Sequence, residues 1–140
     1  MTAVPIEAFA EFYSRNKAVS HLNRGKVTIF GCGMGNPFFS TDTAAVLRGA
    51  EIGADVVLMA KNIDAIYTDD PRKNPDAKKL SEVDYDYILK NHLSAIDTCA
   101  ASFAMDNHMK LHIFGLDDSE NIYRVIMGEK IGTIVGGTEK

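Results

Sequence analysis

Short apolar runs of strand length alternate along this chain with longer stretches in which apolar and polar residues are interleaved. From Ile6 to Leu22 the positions Ile6, Phe9, Ala10, Tyr13, Ala18 and Leu22 recur at near-helical spacing, which predicts an amphipathic helix ended by Asn23 to Gly25. KVTIFG, Lys26 to Gly31, is β-branched and aromatic and predicts a buried strand. A glycine-rich loop follows, then Thr41 to Gly53 as a second helix, with Thr41 as N-cap and Gly53 as C-terminal stop. ADVVLMA, Ala54 to Ala60, is continuously apolar, as expected for a parallel strand buried on both faces.

The polar stretch Lys61 to Lys79, with Pro71, Pro75 and several lysines, reads as a long connection. Two helices are expected near Ser81 to Lys90 and Ile96 to Asn107. A strand is expected at KLHIFG, a short helix at Asn121 to Gly128, and a last strand at GTIV. Strands alternating with helices predict an α/β fold, a mostly parallel sheet sandwiched by helices, in a single domain spanning residues 1–140.

Composition narrows the class of function. The 140 residues suffice for one real core, and 46% hydrophobic with 24% charged residues is ordinary globular composition. A net charge of -4 supplies no basic field for nucleic acid or an acidic membrane, and no apolar run is long enough to cross a bilayer. Cys32 and Cys99 make no disulfide framework. No Cys or His pair has zinc-ligand spacing, and His21, His92, His108 and His112 are scattered, as surface or sheet positions would be. Nothing at the N-terminus resembles a signal peptide, so a reduced, cytoplasmic protein without a resident metal is expected.

The loop between the first expected strand and the second helix carries the chemistry. Gly31, Gly33 and Gly35 allow positive φ and let backbone N–H groups approach a ligand, and a helix N-terminus follows that favours phosphate. A tight turn without a ligand is the plain alternative. The loop is not Walker A, because Asn36-Pro37 stands where Lys-Ser/Thr is required. It is not the dinucleotide fingerprint either, because the sixth position is Asn36.

With its flanks the loop becomes specific. VTIFGCGMGNPFFSTDTAAVLRGAEIGADVVLMAKN resembles the segment of bacterial UMP kinases that reads V-x-I-F, then G-T-G-N-P-[FY]-F-[ST]-T-D-[ST]-A-A, a helix and A-D-V-[IV]-L-x-A. DAIYTDDPRKNPDAKK is similar to the family's D-G-V-Y-x-x-D-P-x-x-x-P-x-A. NIYRVIMGEKIGTIV is similar to its R-V-x-x-G-E-x-x-G-T-x-[IV] ending. The resemblance covers essentially the whole chain and implies an amino-acid-kinase-like fold, incomplete at its N-terminal side.

It also implies roles. Met34, Gly35, Asn36, Pro37, Phe38, Phe39, Ser40 and Thr41 would hold UMP, and Asp42 matches the aspartate at the transfer centre. Lys61, Tyr67 and Asp70 match the ATP site, and Mg2+ would arrive with ATP. Asp97 matches an aspartate taken here as structural or interface-forming rather than catalytic. Taken alone, Thr41 reads as a cap, Asp42 as a dipole-stabilising residue, and Asp69-Asp70-Pro71 as a turn. Members assemble as homohexamers, and GTP and UTP act as their effectors. Two departures stand out: Met34 replaces a threonine and Ala65 a glycine.

The lysine and glycine-rich loop of the family's N-terminal portion have no counterpart here, so weak or no kinase activity is expected of the chain alone. The competing expectation is a non-catalytic nucleotide-binding or assembly module of the same fold. A generic dinucleotide-binding domain ranks third.

Overall fold

The computed structural model describes residues 1–137, which fall into two compact units that divide after Ala54. In the first unit, α1 (Arg15–Leu22) starts where the Ser14 hydroxyl accepts the Lys17 N–H at 3.4 Å. The expected helix from Ile6 therefore exists only in its second half. Thr2 N–H donates to Glu11 C=O and Tyr13 N–H donates to Thr2 C=O, both at 3.0 Å, and these bonds preclude helical pairing at 11–13. Ile6 to Ala10 closes a turn instead, in which Ile6 C=O accepts the Ala10 N–H. A turn of that size repeats apolar residues at helix-like spacing.

KVTIFG also departs from expectation. Ile29 C=O and Gly31 N–H, two residues apart, both bond to Met1, and only Gly31 forms a bridge, with Thr2. The segment is strand-like but not buried: Val27 is 95% and Ile29 80% exposed. The next helix, α2 (Thr41–Ile52), is capped by Ser40 rather than Thr41. Ser40 keeps extended backbone (ψ 166°) and its hydroxyl accepts the Thr43 N–H at 3.0 Å, while Thr41 is already helical. Gly53 ends the helix in the left-handed region, as expected. Helices α1 and α2 pack together, and the buried side chains are small: Ala18, Thr43, Ala44 and Val46.

The second unit contains β1 (Val57–Lys61), β2 (Ile66–Tyr67), β3 (Lys79–Leu80), β4 (Glu82–Val83), α3 (Tyr85–Lys90), α4 (Thr98–Asp106), β5 (Leu111–Gly115), α5 (Glu120–Ile126) and β6 (Thr133–Val135). Its sheet runs β1-β5-β6-β4, with β1 parallel to β5, β6 parallel to β4, and β5 antiparallel to β6. The expected mostly parallel α/β arrangement is therefore present. Leu111, Ile113, Phe114 and Val135 are almost wholly buried, together with Ala100, Ala101 and Ala104 of α4.

Burial on both faces belongs to β5 and not to β1 as expected. Leu58 and Ala60, on one face of β1, are exposed, and that strand ends the sheet among the described residues. The long connection contains the antiparallel ribbon β2–β3. Its anchor is Thr133, whose hydroxyl donates to Leu80 C=O at 2.6 Å and accepts the Ile66 N–H at 2.8 Å. Gly132 (φ +79°) admits that approach, since a Cβ there would lie 2.1 Å from Ile113 C=O. Among the described residues no helix is long and apolar enough to cross a membrane.

Candidate functional site

The loop Gly31 to Asp42 lies wholly in the first unit. Cys32, Gly33, Gly35 and Phe38 all have positive φ, between 56° and 73°. Gly35 is the position where glycine is required twice over. Its φ is +73°, and a Cβ would stand 2.7 Å from Ala3 C=O, so no side chain fits against the Met1–Ala3 stretch. Arg48 braces the other side, with one nitrogen 3.5 Å from Gly33 C=O. That guanidinium lies 3.8 Å over the Tyr13 ring and pairs with Glu51 at 2.6 Å, which holds it in place.

The outcome is a loop with donors to offer. The N–H groups of Gly33, Met34 and Asn36 make no backbone hydrogen bond among the described residues, and the start of α2 lies a few residues on. Phe38 is fully exposed and Phe39 half-exposed. Thr41 is the first residue of α2, and Asp42 sits half-buried in its first turn. Such a loop can bind an anion and offer aromatic faces beside it. It contains no lysine or arginine of its own.

A separate cleft of about 1090 Å³ opens in the second unit, lined by residues 62–73, 91–95 and 115–117. Tyr67 and Asp70 both line it. Tyr67 is positioned by β2, and its hydroxyl donates between the two carboxylate oxygens of Asp64, at 3.0 and 3.2 Å. Lys79, across the ribbon, donates to the same carboxylate at 3.0 Å. Burial pushes Asp64 up, but the Lys79 and Tyr67 hydrogen bonds outweigh it and hold the carboxyl below its ordinary value. Desolvation, and then the Asp64 carboxylate, push the Tyr67 phenol up, so it stays neutral and donating.

Asp70 is used partly by its own loop. Its carboxylate accepts the Arg72 N–H at 3.0 Å and lies 3.6 Å from the Lys73 ammonium, while its C=O accepts from Lys73 and Asn74. Asp69 closes the same turn and is held below its usual range by the Asn74 amide and the Asp70 N–H. The turn reading of Asp69-Asp70-Pro71 therefore holds, and Asp70 lines the cleft from within that turn.

Lys61 does not line the cleft. It sits at the end of β1 and donates to Ala95 C=O at 2.6 Å, bracing a residue that does. Asp97 caps α4 by accepting the Ala100 N–H at 2.9 Å, which fits its structural assignment.

Sequence reasoning gave no role to Asp64 or Lys79. Asp64 stood inside the DAIY motif, but nothing in the pattern marked Lys79 as its partner. Gly115 was also unmarked, although a Cβ there would meet the Asp117 carboxylate at 2.5 Å and Asp64 Cα at 3.1 Å. Among the described residues no group of three or more His, Cys, Asp or Glu is placed to hold a metal.

Comparison with known proteins places this geometry. The profile described as the amino acid kinase family matches residues 6–115. A uridylate kinase of Oenococcus oeni is 45% identical over 140 residues, covering 99% of this chain and 58% of the relative. The solved UMP kinase of Bacillus anthracis superposes with a TM-score of 0.90 at 36% identity, over 96% of this chain and 56% of its own. That of Ureaplasma parvum gives 0.88 at 29% identity, over 96% and 58%. The chain thus spans under two thirds of the length of each of these three relatives. With the profile running from the first turn through β5, the chain belongs to the amino acid kinase family.

Proposed function

We propose that this chain carries the UMP-binding loop and the ATP-binding cleft of a uridylate kinase, which transfers a phosphoryl group from ATP to UMP to give UDP. The observation that carries this reading is the similarity to proteins named uridylate or UMP kinase over nearly the whole chain, loop and cleft segments included. The N–H groups of Gly33, Met34 and Asn36 and the start of α2 would hold the UMP phosphate, with the Thr41 hydroxyl beside it. Phe38 and Phe39 offer faces for the base. Tyr67 offers a flat apolar face to adenine and Asp70 an acceptor for ribose hydroxyls.

Asp42 would orient the reacting groups. Mg2+ would arrive with ATP as part of the substrate and would supply positive charge to the phosphates. Phosphoryl transfer also needs cations against the developing charge. The loop supplies none, and this favours a second reading, a nucleotide-binding or assembly module that does not turn over by itself. Assembly into hexamers, response to GTP and UTP, and a cytoplasmic location belong to the first reading.

Calorimetry with UMP, UTP, ATP and NAD, followed by a coupled assay for ADP release, separates the readings. Binding of UMP and ATP with turnover supports the kinase, and binding without turnover supports the module. NAD binding alone would sink both.

A further inference from the structure

Lys79 does not line the cleft of the second unit, but the carboxylate it holds does. In the β2–β3 ribbon Tyr67 stands directly opposite Lys79, and Ile66 opposite Leu80. Residues opposed across an antiparallel pair project from the same face, so the Tyr67 ring and the Lys79 stem are neighbours. The ribbon is fixed on both sides of that pair. Thr133 holds Ile66 N–H and Leu80 C=O on one side, and Thr68 N–H donates to Lys78 C=O at 2.9 Å on the other.

The two opposed side chains end on one group. Asp64 Oδ2 accepts from the Lys79 ammonium at 3.0 Å, and the Tyr67 hydroxyl lies 3.0 Å from Oδ1 and 3.2 Å from Oδ2. The Asp64 backbone in turn lies against the end of β5, where a Cβ on Gly115 would stand 3.1 Å from Asp64 Cα. A ring held through its backbone at one end and through its hydroxyl at the other is confined to one orientation. The hydroxyl proton is committed to Asp64, so the ring face is what Tyr67 presents to a ligand.

Stability does not account for this arrangement. The Lys79 side chain is 46% and the Asp64 side chain 52% exposed, and an ion pair so open to water adds little to folding. Its effect lies in order, because a face already oriented leaves less freedom to be lost when a ligand binds. We infer that Lys79 is a positioning residue for the nucleotide cleft, acting through Asp64 to hold the Tyr67 ring as a fixed face for adenine. This deepens the ATP reading of the cleft and rests on it for the ligand, whereas the chain of contacts stands without it.

Calorimetry with ATP on the full chain is compared with Lys79→Met, Lys79→Arg, Tyr67→Phe and the double variant Lys79→Met, Tyr67→Phe. Methionine keeps most of the stem and removes the charge. Lys79→Met is expected to weaken ATP binding about two- to fivefold, and Lys79→Arg to stay within about twofold of the parent. Tyr67→Phe keeps the face and cuts the tether, so on that background Lys79→Met should change nothing further. An equal loss on both backgrounds would overturn the inference, because Lys79 would then act by some route other than Tyr67. Unchanged affinity in Lys79→Met would overturn it as well.

A second measurement uses no nucleotide. Near-ultraviolet circular dichroism at neutral pH reports how firmly tyrosine rings are held, and subtracting the matching Tyr67→Phe chain isolates the Tyr67 contribution. That contribution should collapse in Lys79→Met and persist in Lys79→Arg. Its survival in Lys79→Met would show that Asp64 holds the ring unaided and would defeat the inference. A parent chain that binds no ATP would sink the ATP reading of the cleft, and the dichroism would still decide whether Lys79 positions Tyr67.

Discussion

The two units of this chain treat the same kind of sequence differently. KLHIFG and KVTIFG are near-twins in pattern, yet β5 is buried between β1 and β6 while Lys26 to Phe30 carries Val27 and Ile29 in solvent. The difference lies in the neighbours. β5 finds parallel and antiparallel partners within its unit, on both its edges, and Ile113 and Leu111 are fully removed from water. The earlier segment pairs its far end with Met1 to Ala3 and sets Phe30 against Tyr13, and its unit buries small side chains such as Ala18, Ala44 and Val46. Apolar pattern specifies a strand, but burial depends on the partners the rest of the chain supplies.

The strongest way to break that comparison is a matched pair of truncations. Ile113→Ala is expected to cost about 2–5 kcal/mol in urea denaturation, because it empties a fully buried site. Ile29→Ala in the chain alone should stay within about 0.5 kcal/mol. Equal costs would mean that Ile29 is covered in solution.

Gly35→Ala probes the first unit where it is most tightly built. The positive φ and the 2.7 Å approach to Ala3 C=O predict a loss of about 1–3 kcal/mol. Gly53→Ala, with the same sign of φ and open space around it, should cost only about 1 kcal/mol. Two similar values in thermal melts would show that the Gly35 contact contributes nothing.

In the second unit, Tyr67→Ala should weaken ATP binding about tenfold, roughly 1.4 kcal/mol, by removing the flat face from the cleft. Unchanged affinity in calorimetry would place adenine elsewhere. Ser40→Ala should cost about 1 kcal/mol by uncapping α2, whereas Thr41→Ala should cost less in stability.

The smallest effect is in pH. The Asp64 carboxyl lies below its ordinary value in the folded chain, so its contribution is present above the unfolded value of 3.8 and is lost as pH falls through the lower folded value. The β2–β3 ribbon should therefore loosen only in acid, visible as faster amide exchange near Thr68 and Lys78. Asp64→Asn should remove that acid step, and its persistence in the variant would assign it to another carboxylate.

Much of the second unit was legible because local signals and tertiary contacts agree there. KLHIFG, GTIV and the helix after Asn121 fall within a residue or two of expectation. The same agreement put Tyr67 and Asp70 on one cleft, since a short motif keeps them within four positions. Illegible features were those that depend on distant partners. Thr2 capturing Glu11 and Tyr13 erased the first half of a helix that spacing alone supported. Lys79 reaching Asp64 across 15 residues left no local trace. Ser40 and Thr41 are chemically equivalent caps, and only the backbone angle decides between them.

Phe38 has a consequence for anyone redesigning this chain. It combines a left-handed backbone (φ +69°) with a side chain wholly in solvent. A stability-guided search would select that position early, because Asn tolerates the conformation and Phe gains nothing from burial. The resulting chain would tolerate heat better and would have lost one of its two aromatic loop residues. Under the proposed UMP site, optimising the fold and keeping the loop are opposing objectives at this residue, and a library scored on melting temperature alone would discard it.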